Sequence, residues 1–327
     1  MANFRYIEFQ QIRDFGDKVT ATLSFVIQNF KSLFRSILYI AGPPVLVVSV
    51  LLGSFIGDFF SLSLQSGGGN PQAITDFFSS SNLWIQIFLM FIFFIVSVVV
   101  TTATVNNYLL LYREKKTNQI EVNDVWILVR GTFWKYLGTT LLFGFFAIVA
   151  YVVLLIPTFV LGAINPFLIF FGVIFFICAF AYLYVGASLV YVVQTFENKG
   201  FMEAIARSFS LIRGKWWSTL ATVMVLTMLV GVISSIFMIP AYIMLIVSSL
   251  HNVGQNSFQG PSGTMGFIIV VLMTLYYLSQ LVLTCLPNIG LAFQYFNLVE
   301  RKEAKGLMSQ IDTLGQAPPP PVQEEHY

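Results

Sequence analysis

Five amide side chains stand out in long apolar stretches of this sequence as groups that could bind a solute. Asn106 and Asn107 lie near the end of one stretch, and Gln280, Asn288 and Gln294 follow one another in the last. Amides inside a membrane helix usually hydrogen-bond to a neighbouring helix. The alternative is that these five side chains line a polar cavity open to the cytoplasm. Either role depends on the helices that carry them.

Basic residues form a second candidate site. Lys and Arg side chains near a membrane surface attract anionic lipid headgroups. Six of them are candidates for such contacts: Lys116, Arg130, Lys199, Arg207, Arg213 and Lys215. A structural role is the alternative for the arginines, because a cation in the last turn of a helix favours the negative end of the helix dipole.

Catalytic motifs are absent from the sequence. It holds no glycine-rich phosphate loop, no Gly-x-Ser-x-Gly and no His-Glu pair for a metal. Cys178 and Cys285 fall in apolar stretches, where a thiol behaves as a small buried hydrophobe. A lipid enzyme would have to use five acids that we expect mostly to pair with nearby Lys or Arg: Glu114, Glu121, Asp124, Glu197 and Glu203. We therefore expect no catalytic residue, no metal and no cofactor.

Positive charge is confined to a few short segments of the chain. All 17 Lys and Arg residues lie in four clusters, within residues 5–35, 113–135, 199–215 and 301–305. Only 10% of the residues are charged, whereas soluble domains are about 25% charged. Because basic residues concentrate in cytoplasmic connections, the pattern predicts a multi-pass membrane protein with all four clusters and both termini in the cytoplasm. The small positive surplus suits lipid headgroups rather than nucleic acid.

The apolar stretches between the clusters are long enough for six transmembrane helices, since a span takes about 20 residues. They form three pairs, whose two helices are joined by predicted loops at 58–82 and 249–264 and by a tight turn at 163–166, which includes Asn165. The pairs divide the chain into three units and a tail. Unit 1 is 1–112, with spans at about 32–57 and 83–112; unit 2 is 113–196, with spans at about 132–162 and 166–196; unit 3 is 197–310, with spans at about 215–248 and 265–299; and 311–327 is a disordered, proline-rich cytoplasmic tail.

Units 2 and 3 are predicted to be internal repeats. Four landmarks recur 83 residues apart: a Glu-x-Lys, an Arg-Gly, a following aromatic-Trp pair and an Ile-Pro. The two Arg-Gly pairs are Arg130-Gly131 and Arg213-Gly214. Two spans per unit give successive units the same orientation, so the repeats are parallel and related by an axis along the membrane normal. Three such units predict a pseudo-threefold bundle.

Each unit begins with an amphipathic segment. In unit 1, apolar residues from Ile12 to Phe30 recur at helical spacing beside Arg13, Asp17 and Lys18, and units 2 and 3 repeat the pattern. This is typical of a helix that lies in the membrane plane with its charged face toward water. We expect the glycine after each arginine to end that helix, because glycine readily adopts the left-handed conformation.

Prolines and glycines are predicted to shape the spans. Five prolines interrupt spans, and each frees a backbone carbonyl: Pro43, Pro44, Pro157, Pro240 and Pro287. We expect them to kink the helices and open the outer half of the bundle; the alternative is that they form broken-helix substrate sites. Gly53 and Gly57 form a candidate seam for close packing against another helix.

The segment 206–217, with its earlier echo at 128–134, resembles a group of bacterial six-span membrane proteins. The group includes the membrane domain fused to some glycerophosphoryl diester phosphodiesterases and related stand-alone inner-membrane proteins. In the fused enzymes catalysis resides in a separate soluble barrel domain, whose metal-binding acids this sequence lacks. The resemblance therefore implies a six-span fold in the bacterial inner membrane and transfers no catalytic residue.

We expect an all-α integral membrane protein made of three parallel helical hairpins, each preceded by an interfacial helix on the cytoplasmic side. Its expected function is that of a non-enzymatic scaffold or accessory subunit of a membrane complex. Its expected partners are membrane lipids and another membrane protein or a second copy of itself. The alternative is a transporter or flippase-like protein that binds a small or lipidic substrate among the five amides.

Overall fold

Helices account for all of the regular structure in the part of the chain that the computed structural model describes, which is residues 6–67, 72–254, 263–304, 306 and 308. A π-helical turn at Ile37–Ala41 and a 3₁₀ turn at Pro166–Leu168 accompany the α-helices. The α-helices are α1 (Phe15–Gln28), α2 (Phe30–Ser36), α3 (Gly42–Gly67), α4 (Gln72–Ser79), α5 (Ser81–Lys115), α6 (Val122–Ile164), α7 (Ile169–Ala187), α8 (Val190–Phe196), α9 (Phe201–Ile212), α10 (Trp216–Gly254), α11 (Gly263–Leu283) and α12 (Cys285–Glu303).

Six helical segments in the described residues are long and apolar enough to cross a membrane, as in a multi-pass membrane protein. Each overlaps one predicted span, which confirms the predicted number of membrane-length helices. The segments are Phe30–Phe59, Ser81–Lys115, Val122–Ile164, Pro166–Phe196, Trp216–Val247 and Thr264–Glu303.

The connections between these segments agree with the sequence at one turn and differ at two. The turn predicted at Asn165 is confirmed, because α6 ends one residue earlier and the Asn165 side chain accepts a hydrogen bond of 2.9 Å from the backbone N–H of Phe167. The loop expected at 58–82 is instead largely helical, since α3 continues to Gly67 and α4 follows. Helix α10 likewise continues to Gly254, into the loop predicted at 249–264. Residues 255–262 of that loop and the predicted tail at 311–327 lie outside the described residues.

The glycines of the two Arg-Gly pairs differ in their positions relative to the helix ends. Gly214 has a φ of 85° and follows the end of α9, as predicted. Gly131 lies inside the continuous helix α6, so the prediction that it ends a helix was wrong. A glycine inside a helix costs only about 1 kcal/mol. The buried residues Val125, Val129 and Tyr136 keep one face of α6 in contact with the bundle across this position.

The prolines also differ in effect. Pro157 and Pro240 lie inside helices that continue past them, so neither forms a broken-helix site, and the kinks expected there stay a prediction. Membrane helices tolerate proline where local adjustments satisfy the freed carbonyl. Pro43 and Pro44 follow the π-helical turn, and Pro287 lies just after the interruption between α11 and α12. The helix is therefore locally altered near three of the five prolines.

The three helix pairs do not pack equivalently, so the predicted threefold symmetry is absent. Consecutive helices pack in each pair, α3 with α5, α6 with α7 and α10 with α11. Between pairs, α3 packs along α11 and α5 packs along α6, but α7 and α10 barely touch. The ring of helices is therefore open on one side, and the α6–α7 pair contacts the rest of the bundle mainly through α5.

The glycine seam predicted in span 1 is confirmed in the packing of α3 against α11. A Cβ atom on Gly53 would lie 2.6 Å from Thr274 Oγ1 and 3.0 Å from the backbone nitrogen of Thr274. A Cβ atom on Gly57 would lie 3.3 Å from Val270 Cγ2. The absence of side chains at these two positions permits the close approach of the two helices.

Candidate functional site

The four clusters of basic residues meet at one end of the bundle, which we call the basic end. The Tyr112 hydroxyl accepts a hydrogen bond of 2.9 Å from the backbone N–H of Ile7. The side chain of Asn297 accepts one of 3.0 Å from the backbone N–H of Arg13. Beneath them, Phe9 packs against aromatic rings of α1, α5 and α12. The chain start and the last helix are thus joined to the same core.

A buried lysine lies at the centre of the basic end. Lys18 on α1 is 1% exposed. Its Nζ atom donates hydrogen bonds of 2.7 Å to Ser218 Oγ and 2.6 Å to Gln294 Oε1. The Gln294 amide in turn donates one of 2.8 Å to Thr219 Oγ1. We call Lys18, Ser218, Thr219 and Gln294 the Lys18 cluster; it joins α1, α10 and α12 through neutral partners.

The position of Lys18 corrects the prediction that the charged face of α1 points to water. Lys18, Thr22, Phe25 and Asn29 form the buried face of this region, while Phe15 and Ile27 are exposed. The reason is that α12 and α10 present polar side chains to α1, so Lys18 turns inward, while the charged Asp17 and the apolar Phe15 stay exposed. Sequence reasoning missed Lys18 because periodicity identifies two faces but does not show which one meets the protein.

Burial shifts the ionisation of both cations on this inward face. Burial lowers the pKa of Lys18 to about 8, and the nearby charge of Arg301 lowers it further, whereas Asp14 opposes the shift. Burial also lowers the pKa of Arg13, against the attraction of Glu8 and Asp17. Desolvation disfavours a charged amine whose neighbours are neutral. Burial therefore destabilises the charged form of Lys18, and its hydrogen-bond acceptors determine how well the fold tolerates that charge.

A second group of contacts ties α9 to the ends of α8 and α12. Arg207 pairs with Glu197 at 2.9 Å and with Glu303. Glu197 also pairs with Lys199 at 2.8 Å and accepts a hydrogen bond of 2.9 Å from the Tyr295 hydroxyl. We call these five residues the charge network. Burial alone would raise the pKa of Glu197, but hydrogen bonds from Lys199, Arg207 and Tyr295 lower it overall.

Helix α9 is also locked into the interruption between α7 and α8. The Ser208 hydroxyl donates a hydrogen bond of 2.6 Å to the carbonyl of Gly186 and accepts one of 3.3 Å from the N–H of Leu189. These two backbone groups lie where the helical hydrogen-bond ladder is interrupted, so the serine replaces a missing partner. The side-chain ring of Phe209 occupies the space that a Cβ on Gly186 would need.

The six basic residues predicted to contact lipid headgroups occupy different environments. Lys199 and Arg207 belong to the charge network, which engages their side chains with carboxylates. The other four are exposed at the basic end: Lys116, Arg130, Arg213 and Lys215. Of the acids considered for a lipid enzyme, Asp124 pairs with Lys115 at 2.6 Å and Glu197 lies in the charge network.

The five amides predicted to share a cavity make separate local contacts. Asn107 donates a hydrogen bond of 2.9 Å to Thr132 Oγ1 on α6. Asn106 is buried near Tyr136, and its Oδ1 atom has no hydrogen-bond partner in the described part of the chain. Gln294 belongs to the Lys18 cluster. Gln280 donates to the Tyr276 hydroxyl at 3.2 Å on its own helix, and Asn288 is half-buried.

Two cavities lie between the first apolar segment and α6. One, of about 580 Å³, has polar walls from α2 and from the chain just before α6. The other, of about 570 Å³, is lined by apolar residues of α3, α5 and α6, with Arg130 as its one charged residue. None of the five amides lines either cavity.

A family model described as a domain of unknown function, DUF8558, matches residues 45–286, which is more than half of the chain. No curated protein matches the chain, and no solved structure matches it. The matched range includes the α6–α7 pair and most of the bundle. It ends before Gln294 and begins after α1, so the Lys18 cluster joins residues on both sides of the range and inside it.

Proposed function

The chain belongs to the DUF8558 family of unknown function, and from its own geometry we propose that it is a non-enzymatic scaffold or accessory subunit of a membrane protein complex. The exposed α6–α7 pair carries this proposal. The most apolar 18-residue stretch of Val122–Ile164 has 0% of its residues buried, compared with 44% for that of Phe30–Phe59. Membrane helices associate through close packing, and this pair presents most of its surface to whatever surrounds the protein.

Two glycines give the exposed pair a surface that a partner helix can approach. Gly138 and Gly144 on α6 are exposed, and a Cβ added to either would meet no atom within 4 Å. Small residues at a helix surface allow another backbone to come close. The partner in this proposal is another membrane protein or a second copy of this chain.

The basic end supplies the fixed base of the scaffold. The Lys18 cluster and the charge network join α1 and α9 to the last helix, and both short helices expose apolar residues such as Phe15 and Met202. We propose that α1 and α9 lie in the headgroup region of a bacterial inner membrane. All four basic clusters and both termini would then face the cytoplasm, in line with the distribution of Lys and Arg.

The experiment that tests this function is purification of the full chain from native membranes in mild detergent, with Gly144→Leu as the disrupting variant. Leucine keeps α6 apolar but fills the approach surface. The matched control is Gly231→Leu on α10, where an added Cβ also meets no atom within 4 Å. We expect a partner at fixed stoichiometry with the unaltered chain and with Gly231→Leu, and at least tenfold less with Gly144→Leu.

Two differently tagged copies of the chain, expressed together, identify the partner as a second copy or a different protein. A monomer bound only to lipid in all three samples would contradict the scaffold function. The transporter alternative draws no support from the amide contacts, because Asn107 and Gln294 form hydrogen bonds to neighbouring helices and line neither cavity.

A further inference from the structure

The polar cavity at the basic end carries two cations that form no ion pair with any described residue. Lys31 and Arg35 lie one helical turn apart on α2, and both are exposed and line the cavity of about 580 Å³. The opposite wall is held in place by Ser32, whose hydroxyl donates a hydrogen bond of 2.9 Å to the carbonyl of Asn118. Glu121 is the one acid in this wall. The cavity therefore has defined walls on both sides, and its two cations outnumber its one acid.

The apolar cavity follows the polar one along the same seam. On one wall, Arg35 and Pro43 are eight residues apart; on the other, Val122 and Arg130 are eight residues apart. Eight residues of helix correspond to about 12 Å. Both helices run away from the basic end, and α2 and the π-helical turn both contact α6. The polar cavity thus lies nearer the end of the bundle, and the apolar cavity lies deeper.

The entrance to the deeper cavity has the composition of a membrane interface. Trp126 and Trp134 lie one turn on either side of Arg130 on α6, and Trp134 is 75% exposed. Tryptophan concentrates at headgroup depth, and a long cation beside apolar surface can extend its charge toward phosphate. Arg130 forms no ion pair with the part of the chain that the structure describes.

The π-helical turn explains why space exists here. Pro43 and Pro44 have no N–H to donate, and their rings clash with the carbonyls one turn earlier in a regular helix. The chain forms a π-helical turn at Ile37–Ala41 immediately before them. Such turns often mark functional sites, and this one contributes Ile40 to the lining of the apolar cavity.

We propose that the two cavities form one binding site for an anionic phospholipid. Lys31 and Arg35 bind the phosphate, Arg130 adds a third positive charge, and one acyl chain lies in the apolar cavity against Pro44 and Val96. Three cations against one acid favour an anionic headgroup over a neutral one. The open side of the apolar cavity lets the acyl chain continue into the bilayer. The site does not depend on the scaffold function, since a lipid can occupy it whether or not a partner protein binds α6–α7.

The test is native mass spectrometry of the purified full chain incubated with phosphatidylglycerol or with phosphatidylcholine. We expect one tightly held phosphatidylglycerol per chain. Lys31→Ala with Arg35→Ala should weaken its binding about thirtyfold, equivalent to about 2 kcal/mol for two cations at a membrane surface. The matched control removes two exposed charges that line neither cavity and are not among the predicted headgroup contacts, Lys115→Ala with Lys302→Ala, and should change the affinity less than threefold.

Two further variants separate the roles of charge and space. Lys31→Arg with Arg35→Lys keeps both charges and should restore binding, which distinguishes charge from a folding defect. Val96→Trp fills the apolar cavity and should weaken phosphatidylglycerol binding while leaving the melting temperature within a few degrees. Equal losses in the cavity and control variants would overturn the site. Displacement of the lipid by inorganic phosphate alone would show a phosphate site without the acyl component, and that also contradicts the proposal.

Discussion

The ammonium of Lys18 lies 2.6 Å from the side-chain oxygen of Gln294, a residue 276 positions later in the chain. The contact joins α1 to α12 inside the basic end, where Lys18 is 1% exposed. Its second acceptor, Ser218, is also neutral. A buried cation with neutral partners is costly, so the stability of this end of the bundle should depend strongly on residue 294.

The effect of a substitution at Gln294 on stability should therefore depend on the charge of the new side chain. Gln294→Leu removes the acceptor, leaves the ammonium short of a hydrogen bond and should reduce the free energy of unfolding by about 2 kcal/mol. Gln294→Glu supplies a counter-charge at the same position and should be clearly more stable than Gln294→Leu. Thermal unfolding in detergent at pH 7 measures both. If the leucine variant were the more stable of the two, Lys18 would not be charged in the folded protein.

The pH dependence of stability should carry the signature of Lys18. Burial lowers its pKa in the folded chain to about 8, whereas an unfolded lysine titrates at about 10.4. Below pH 8 both states are charged and the full cost of burial, about 3 kcal/mol, is present. Between about pH 8 and pH 10 the folded state loses its proton first, so stability should rise with pH.

Lys18→Met is the control for that rise. Methionine has a similar length and no charge, so the melting temperature of this variant should lack the component that increases above pH 8. A wild-type curve that is flat or falls from pH 8 to pH 10, with the same shape in Lys18→Met, would contradict the assignment.

The charge network should show measurable coupling between α9 and α12. Arg207 pairs with Glu303 across 96 positions of sequence, and both side chains are mostly buried, at 20% and 26% exposed. A double-mutant cycle with Arg207→Gln and Glu303→Gln should give a coupling energy of about 1 kcal/mol that decreases at high salt. The same cycle with Asp76→Asn, an exposed acid on α4 outside the network, should give a value near zero. Equal coupling in the two cycles would mean that the network adds nothing specific.

Alanine substitutions at the two glycines of the α3–α11 seam should differ in their cost to stability. Gly53→Ala forces a methyl group against the backbone of Thr274, which cannot rotate away, and should cost about 1–3 kcal/mol. Gly57→Ala meets only the side chain of Val270 at 3.3 Å, which can adjust, and should cost less than Gly53→Ala. Urea or thermal unfolding of the two variants makes the comparison. Equal losses of unfolding free energy in the two variants would show that α3 and α11 can move apart to accommodate either methyl group.

The number of membrane-length helices could be predicted because it depends on composition summed over some 20 residues at a time. The turn at Asn165 and the left-handed Gly214 could be predicted because they depend on residues within a few positions of each other. Gly131 and Pro157 show the limit of that reasoning. The same residue types that end or break a helix elsewhere lie within α6, because the outcome depends on what packs beside them.

Some residues of the candidate sites could likewise be predicted from the sequence, whereas others depend on packing. Arg130 could be identified from sequence because it belongs to a basic cluster next to a predicted span. The lipid site as a whole could not, since Lys31 and Arg35 come from a different segment and meet the α6 seam only in the folded bundle. Lys18 was predicted on a charged, water-facing surface, but it is buried against α10 and α12.

Hydropathy and charge act over contiguous residues, so the amino-acid sequence alone identifies a multi-pass helical membrane protein with its positive charge in four clusters. The packing of the folded bundle is needed to establish which face of α1 turns inward, which partners Lys18 and Arg207 have, and where α6–α7 stands apart from the bundle. Those outcomes depend on contacts between residues up to 276 positions apart. A helix's periodicity marks two faces, and the chemistry of the neighbouring helices selects the one that is buried.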